Sequence, residues 1–497
     1  MIARLQDQHQ RYLFWGIVLS FIILNAVMLA FEIFYVPLIP AILLFVVLAI
    51  VSVDKYLLAI VFFVPISIPL STLVNGLSID MYLPTEPLLA GLLVLYFFKY
   101  LMGDRVDIRL LRHPVTLAIY FHLTWLFMAS ITSSDPMISF KYLASRLWFI
   151  VGFYLVASQL FKKEKNMHTY VWLFIISFSG IIIYTLIRHS AYGLNNQMMA
   201  HSVSRPFYKD HTSYGATLGF ILPVLVALFI LIRRDHVNSR FLMLLLTMLF
   251  ITALVFSYTR AAWVSIIASL GIWAIIKLKV RFELVLAGAI VLVGFFMSIR
   301  SQLMIELEQN RVESSAEFSE HIQSISNIST DQSNLERINR WSCAYRMWRD
   351  KPLFGFGPGT YQFEYGRYQR SYEKTRISTD FGTLGNAHSE YLGPLSEAGI
   401  FGLISILLVI GTTIYTGLRV YFTSRKRSVR IFSLAVLIGL FSYYFHGLLN
   451  NFLDTDKISV LFWGYTAMLV AMDIYHRDQP EEELPESHAK DLPDSPE

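Results

Sequence analysis

The feature that most constrains this chain is a run of apolar stretches, each about as long as a bilayer is thick. A transmembrane helix needs roughly 20 predominantly apolar residues, and such windows recur along nearly all of the 497 residues. Apolar residues make up 55% of the chain and charged residues 15%. Soluble domains contain roughly one quarter charged residues. The sequence therefore predicts an all-α, polytopic transmembrane helical bundle.

One long polar segment, at about residues 300–390, interrupts the apolar pattern and divides the predicted bundle. About 11 spans are predicted within 1–299 and the others within 391–476, giving about 14 spans in a range of about 12–14. Residues 477–497 are rich in proline and glutamate, which predicts a disordered tail. The expected fold is a bundle with one large loop, containing short helices, outside the membrane.

An amphipathic helix is predicted inside this loop, over about residues 334–350. Ser333 and Glu336 have the spacing of a helix capping box. Apolar side chains then follow at steps of three and four, at Leu335, Ile338, Trp341, Tyr345 and Trp348. Two placements fit this helix equally well: at the membrane interface, or packed on the bundle as scaffolding for a lid.

Lysine and arginine are distributed unequally between alternate connections of the predicted bundle. They concentrate near residues 99–112, 162–165, 233–240, 277–281 and 425–430. Because basic residues favour the cytoplasmic side, these connections and both termini are predicted to be cytoplasmic, with the 300–390 loop on the opposite side. Membrane anchoring accounts for the net charge of +5, so no nucleic-acid partner is expected.

The cysteine content and the glycine spacing exclude several kinds of functional site. Cys343 is the only cysteine, which excludes an intramolecular disulfide and a cysteine-based metal site. The carboxylates of the outer face lack a compact metal-ligand spacing, so no metal site and no cofactor are predicted. The glycines of 355–359 are preceded by no strand and followed by no Gly-Lys-Ser/Thr. They predict a tight turn with positive φ rather than a nucleotide site.

Three segments resemble the O-antigen ligase/polymerase superfamily in their residue patterns, in their order along the chain and in their position in the predicted topology. They are Tyr258-Thr-Arg-Ala-Ala-Trp, Pro352-Leu-Phe-Gly-Phe-Gly-Pro-Gly, and Ala387-His-Ser-Glu-Tyr-Leu followed by Glu397-Ala-Gly-Ile-Phe-Gly. The resemblance is specific over about 240–405. It implies a glycosyltransferase of the bacterial inner membrane that moves a glycan from undecaprenyl pyrophosphate, at the periplasmic face, to an acceptor such as lipid A–core.

The resemblance also implies roles for particular residues. Arg260 and His388 match the family's periplasmic arginine and histidine, and Glu390 lies beside the histidine, so these three are the catalytic candidates. Arg205 resembles an upstream arginine of the family. The substrate-binding candidates are Arg205, Arg337, Arg340 and Glu397.

Glycan transfer from a pyrophosphate needs cations at the phosphates and a base for the acceptor hydroxyl. Arginine offers an always-charged, bidentate fork for phosphate, which suits Arg260 and Arg205. His388 titrates near neutral pH and suits the base, and Glu390 or Glu397 can orient its imidazole. Direct attack by the acceptor predicts inversion at the anomeric carbon without a metal or an enzyme nucleophile.

Other functions and roles stay open at this point. A polymerase of the same superfamily fits the motifs as well as a ligase does. A transporter of polysaccharide or lipid-linked sugar is the alternative from another class, but the sequence lacks the internal repeats that many transporters have. His446 lies in a predicted span near Asn450, where it fits either a buried structural histidine or a residue of an acceptor cavity.

Overall fold

The computed structural model describes residues 12, 15–16, 18–28, 39–72, 81–232, 236–281, 283–288, 332–374, 378 and 385–480, with scattered positions between 290 and 298. These residues are almost wholly helical. Within them the one sheet is a short antiparallel pair, Ile68–Pro69 with Tyr82–Leu83. The predicted all-α class is therefore confirmed. The predicted tail at 477–497 lies largely outside the described residues.

The chain divides into two units, Met1–Ala59 and Ile60–Glu497. The first contains the apolar helices α1 (Val18–Met28) and α2 (Ile39–Val51), and α3 (Val53–Phe63) begins in it. The second contains all the other helices and every residue of the candidate site.

Nine helices of the described chain are long and apolar enough to cross a membrane. Shorter helices precede or separate them: α4 (Thr85–Leu101), α5 (Ile108–Leu111) and α9 (Gln197–Ala200). The nine are α6 (Pro114–Ile131), α7 (Pro136–Leu160), α8 (Glu164–Ala191), α10 (His211–Leu231), α11 (Val237–Phe256), α12 (Arg260–Lys277), α15 (Leu392–Thr423), α16 (Arg427–His446) and α17 (Asp456–His476). A polytopic bundle is thus observed, and the predicted total of about 14 spans stays a prediction.

Successive spans run in opposite directions, so their connections fall at two ends of the bundle. One end carries the connections 132–135, 192–210, 257–259 and 447–455, together with the beginning of α15. We call it the site end. The opposite end carries the basic connections at 161–163 and 424–426, the distribution expected of a cytoplasmic face.

Side-chain caps fix where two helices begin at the site end. Asp135 Oδ1 accepts a hydrogen bond from the backbone N–H of Ile138 (3.2 Å), and Asp210 Oδ1 accepts one from Ser213 (2.8 Å). Such caps satisfy N–H groups that the helix leaves unbonded. The first turn of α10 is therefore held in a defined place beside the candidate site.

Small residues let the helices at the centre of the bundle approach closely. A side chain at Gly439 of α16 would overlap the backbone of Phe220 on α10. Gly215 of α10 lies in the same way against Thr259, just before α12. Close approach through small residues is a common basis of helix association in membranes, and here it sets the position of α12 against α10.

Outside the bundle, α13 (Gln332–Asp350) forms where the amphipathic helix is predicted. Its residues Cys343, Ala344 and Met347 are fully buried and pack with Phe356 and Tyr361 of the segment that follows. That segment includes the short helix α14 (Tyr361–Glu364). This buried face is not the aromatic face for which the sequence left two placements open, so the choice between membrane interface and bundle stays a prediction.

The glycine-rich segment after α13 packs with its backbone on the beginning of α15. Gly355, Gly357 and Gly359 have φ values of 66°, 112° and 80°, as predicted for a tight turn. A Cβ atom at Gly355 would overlap the backbone of Glu397, and one at Gly399 (φ 68°) would overlap that of Leu353. Glycine is required at positions 355 and 399 because the backbone of the glycine-rich segment lies directly against the backbone of α15, with no room for a side chain.

Candidate active site

A group of charged and histidine side chains gathers at the site end of the bundle. Arg260 begins α12, Arg337 lies on α13, His388 precedes α15, and Asp210 and His211 begin α10. Arg337 and Asp210 act electrostatically on both His388 and His211, and Arg260 lies close enough to act on His211 and to feel Arg337. We call these five residues the cationic cluster. It joins parts of the chain that are far apart in sequence.

The motif around Arg260 holds that residue on the first turn of α12. Tyr258 adopts a left-handed conformation (φ 50°), which costs a non-glycine residue roughly 1–3 kcal/mol and is enriched at functional sites. Thr259 Oγ1 donates a hydrogen bond to the carbonyl of His211 (2.7 Å), and Trp263 Nε1 donates one to Leu254 (2.9 Å). The Tyr-Thr-Arg-Ala-Ala-Trp pattern thus supports a half-buried arginine beside α10.

His388 also has a left-handed backbone, with φ of 48°. Its N–H donates to Asn386 Oδ1 (3.1 Å), and its carbonyl accepts a hydrogen bond from Trp341 Nε1 (3.4 Å). The expectation that His388 titrates near neutral pH is not met: burial, followed by the nearby guanidinium groups of Arg337 and Arg340, lowers the pKa of its imidazole to about 3. The ring is neutral at physiological pH, the state in which it can accept a proton.

Arg337 rather than Arg205 lies with Arg260. Burial lowers the pKa of Arg337, and Asp210 opposes that shift, but a guanidinium remains charged in any protein environment. Asp210 Oδ1 already caps α10 and accepts a hydrogen bond from Thr212 Oγ1 (2.6 Å). Within the five described residues of the cluster, two arginines accompany one carboxylate, a composition that favours an anion.

Arg205 does not join the cationic cluster. It is exposed, its Nε donates a hydrogen bond to the carbonyl of Lys209 (3.0 Å), and its own carbonyl accepts one from Arg188 (2.6 Å). These local contacts order the 192–210 connection. The geometry favours Arg337 over Arg205 as the partner of Arg260.

Arg340 lies three residues from Arg337 but has a different environment. It is buried, its Nε forms an ion pair with Glu336 (2.8 Å), and its Nη1 donates to the carbonyl of Asn386 (3.1 Å). Its guanidinium lies over the ring of Tyr365, 5.1 Å from the centroid. Arg340 therefore positions the backbone that leads to His388.

Glu390 is directed away from the cluster. One carboxylate oxygen accepts hydrogen bonds from the backbone N–H groups of Phe452 and Leu453 (2.8 Å each) and from the hydroxyl of Tyr443. The Glu390 N–H donates to the carbonyl of Gly447 (2.8 Å). Burial raises the pKa of the Glu390 carboxyl above its usual value. Glu390 joins the His388 segment to the 447–455 connection.

A buried arginine that the sequence analysis missed completes this contact. Arg146, on α7, donates to the carbonyl of Leu453 and to the hydroxyl of Tyr142 (2.5 Å). Glu390 and Asp454 lie close to its charge. An arginine within an apolar span is costly and generally functional or paired, and that rule was the signal available in the sequence.

Glu397, near the beginning of α15, also lies close to Arg146 and contacts the glycine-rich segment. Its Oε1 accepts a hydrogen bond from the N–H of Tyr361 (3.0 Å), and its carbonyl accepts one from Gly357 (2.7 Å). We call Arg146, Glu390, Glu397 and the exposed Asp454, whose charge acts on Arg146, the buried clamp. Arg146, Glu390 and Glu397 hold backbone segments together, and neither Glu390 nor Glu397 has a described hydrogen bond to the imidazole of His388.

Further histidines border the cationic cluster. The ring of His201 stacks on that of His211, with centroids 4.0 Å apart. His446 is 1% exposed, lies 3.1 Å (Nε2) from Asn450 Nδ2, and is close to the charges of Arg337 and Asp210. Among the described residues, no group of three or more histidine, cysteine or carboxylate side chains is arranged to hold a metal ion.

The fold is that of a multi-pass helical membrane protein, and at the site end of its bundle arginine, histidine and aspartate side chains from distant segments lie together. A family model described as O-antigen ligase matches residues 244–407. That region runs from α11 to α15 and includes Arg260, Arg337, His388 and Glu397. The chain thus carries an O-antigen ligase domain, and the predicted superfamily is confirmed. No curated protein matches the chain.

This match and the apolar helices support a membrane function of the glycan ligase or polymerase type, exercised on lipid-linked glycans in a multi-pass bacterial inner-membrane protein.

Proposed function

We propose that this protein transfers a glycan from undecaprenyl pyrophosphate to a hydroxyl of lipid A–core, at the periplasmic face of the inner membrane. The observation that carries the proposal is the cationic cluster, in which two half-buried arginines lie beside a neutral histidine. The family match provides the substrate class. The basic connections at the opposite end support a periplasmic location for the cluster.

In the proposed reaction, Arg260 and Arg337 hold the pyrophosphate. Negative charge grows on its oxygens as the bond to the anomeric carbon breaks, and guanidinium groups fixed in a partly dehydrated site stabilise that charge. Removing one comparable stabilising group costs roughly 100- to 1000-fold in rate. Because the arginines provide the positive charge, we propose that transfer proceeds without a metal ion.

His388 is the proposed base. Its neutral imidazole takes the proton of the acceptor hydroxyl while the acceptor oxygen bonds to the anomeric carbon. Undecaprenyl pyrophosphate leaves with the electron pair of the broken C–O bond, and the anomeric centre is inverted by this direct displacement. The negative charge of the bound pyrophosphate favours the imidazolium that forms.

Transfer by the purified protein tests this proposal. The wild-type protein in nanodiscs receives undecaprenyl-pyrophosphate-linked glycan and lipid A–core, and product is followed with and without a chelator. We expect product of inverted configuration in both samples. Strict dependence on added Mg²⁺ or Mn²⁺ would overturn the arginine-based chemistry.

A deletion strain separates ligase from polymerase. Loss of a ligase leaves full-length chains on the lipid carrier and bare core at the surface. Loss of a polymerase leaves core that bears a single repeat. We expect the first pattern, and the second would assign the same site to chain extension.

A further inference from the structure

A stripe of aromatic side chains leads away from the cationic cluster along α13. Arg337, Trp341, Tyr345 and Trp348 follow one another at steps of three and four residues, so they lie along one face of the helix. At 1.5 Å of rise per residue, the stripe extends about 16 Å. That length exceeds a single sugar ring and suits a short oligosaccharide.

This stripe is not the face by which α13 packs on the protein. The packing face contains Cys343, Ala344 and Met347, which are fully buried. Tyr345 is 51% exposed, and Trp341 and Trp348 are half-buried. The rings of Tyr345 and Trp348 are 5.6 Å apart and tilted to each other. A helix segment outside the bundle thus presents neighbouring aromatic faces that the described chain leaves partly uncovered.

The stripe begins inside the candidate site. Arg337 belongs to the cationic cluster, and Trp341 Nε1 donates its hydrogen bond to the carbonyl of His388. A ligand whose phosphate lies at Arg337 can therefore extend directly onto the aromatic rings. A lipid-linked glycan has that arrangement, because its first sugar is bonded to the pyrophosphate.

We propose that the aromatic stripe binds the glycan of the lipid-linked donor, with sugar rings stacked on Trp341, Tyr345 and Trp348. This inference rests on the proposed function and adds a subsite to it. Sugar rings have an apolar C–H face and a polar rim. Large aromatic side chains that combine an apolar face with a polar group match both.

The membrane surface is the competing occupant for a helix with tryptophan and arginine on one side. Two contacts favour the glycan: Arg337 of this face belongs to the cationic cluster, and Trp341 donates a hydrogen bond to the carbonyl of His388. A membrane contact becomes an outcome of the experiment, since it would affect all donors alike.

The experiment compares two donors with purified protein in nanodiscs: undecaprenyl pyrophosphate bearing a single sugar, and the same carrier bearing the host strain's complete repeat-unit oligosaccharide. In Trp348→Ala, we expect the ratio of kcat/KM for the oligosaccharide donor to kcat/KM for the single-sugar donor to fall about tenfold. Trp348→Phe should retain most of the wild-type ratio. Phe363→Ala removes a 47% exposed aromatic of α14 outside the stripe and should leave the ratio unchanged.

Binding measured without turnover separates this inference from the proposed function. The repeat-unit oligosaccharide, released from its carrier by mild acid, should bind wild-type protein in saturation-transfer NMR, with a loss of signal in Trp348→Ala. Such binding without any transfer by the wild type would sustain the stripe and overturn the proposed function. An unchanged donor ratio in Trp348→Ala, or equal binding of the free glycan by both proteins, would overturn the stripe.

Discussion

His388 and Glu390 are two residues apart, yet they belong to regions of opposite construction. The cationic cluster around His388 combines two arginines and two histidines with a single carboxylate. The buried clamp around Glu390 combines three carboxylates with one arginine.

The difference between them lies in what satisfies the charges. In the buried clamp, Glu390 accepts hydrogen bonds from two backbone N–H groups and Tyr443, Glu397 accepts one from Tyr361, and Arg146 donates to Leu453. Buried charges satisfied in this way hold segments in place. Among the five described residues of the cationic cluster, two arginines and one carboxylate lie with His211 and with the imidazole of His388, which burial keeps neutral. Such perturbed groups mark functional sites.

Removing His388 should produce the largest loss of activity. In His388→Ala, we expect transfer to fall about 100- to 10,000-fold, since a positioned base contributes that much. The quantity of protein should stay at the wild-type value, because the neutral imidazole is proposed to act in the chemistry. Transfer in a membrane assay, with protein quantity measured by immunoblot, checks both. Wild-type glycan display in this variant would remove His388 from the chemistry.

Loss of Arg337, an arginine of the cationic cluster, should reduce transfer more than loss of Arg205. In Arg337→Ala, we expect transfer to fall roughly 100- to 1000-fold, as for the loss of one stabilising group at a developing charge. Arg205→Ala is the matched control, because it removes the same charge from an exposed position, and its effect should be at least tenfold smaller. Equal losses in both variants would return Arg205 to the phosphate site.

Substitutions in the buried clamp should lower the stability of the protein. Arg146→Ala removes the positive charge that acts on the buried Glu390, and breaking a buried pair typically costs about 3–5 kcal/mol. We expect a lower thermal midpoint, followed by differential scanning fluorimetry in detergent. Tyr142→Phe deletes one hydrogen bond to the same arginine and should cost less. An unchanged midpoint in Arg146→Ala together with abolished transfer would move Arg146 into the reacting site.

The acid side of the stability profile should show the smallest effect. The folded-state pKa of His388 is lowered to about 3, whereas a free imidazole has a pKa of about 6.5. Between these values the unfolded chain binds a proton that the folded chain does not, so stability is lost as the pH falls. We expect His388→Gln to reduce the drop in thermal midpoint between pH 7 and pH 5. A drop equal to that of the wild type would show that His388 is not buried in neutral form.

Local patterns in the sequence predicted the bundle, the helix at 334–350 and the turn at 355–359, and they selected the Arg260 and His388 motifs, whose roles stay predictions. Each depends on periodicity, glycine geometry or a contiguous motif, all of which are local properties. Whether Arg205 or Arg337 lies with Arg260 depends instead on how the 192–210 connection and α13 pack at the site end. This is tertiary information that no local pattern contains.

The sequence could not predict the direction of the Glu390 side chain either. The left-handed backbone at His388 separates the directions of two side chains that are close in sequence, so proximity along the chain suggested a catalytic pair that the fold divides. Arg146 was missed because an apolar span reveals the presence of an arginine but not the three carboxylates that surround it.

The backbone contact between residues 352–357 and α15 restricts how a substrate can reach the site. Phe356 and Gly357 donate hydrogen bonds to Ser396 and Glu397, and Ile400 donates one to Pro352. With glycines pressed backbone to backbone, this part of the outer segment cannot swing open as a hinged cover without breaking all three bonds. A lipid-linked substrate of the proposed kind would therefore have to reach the site while this segment stays joined to α15.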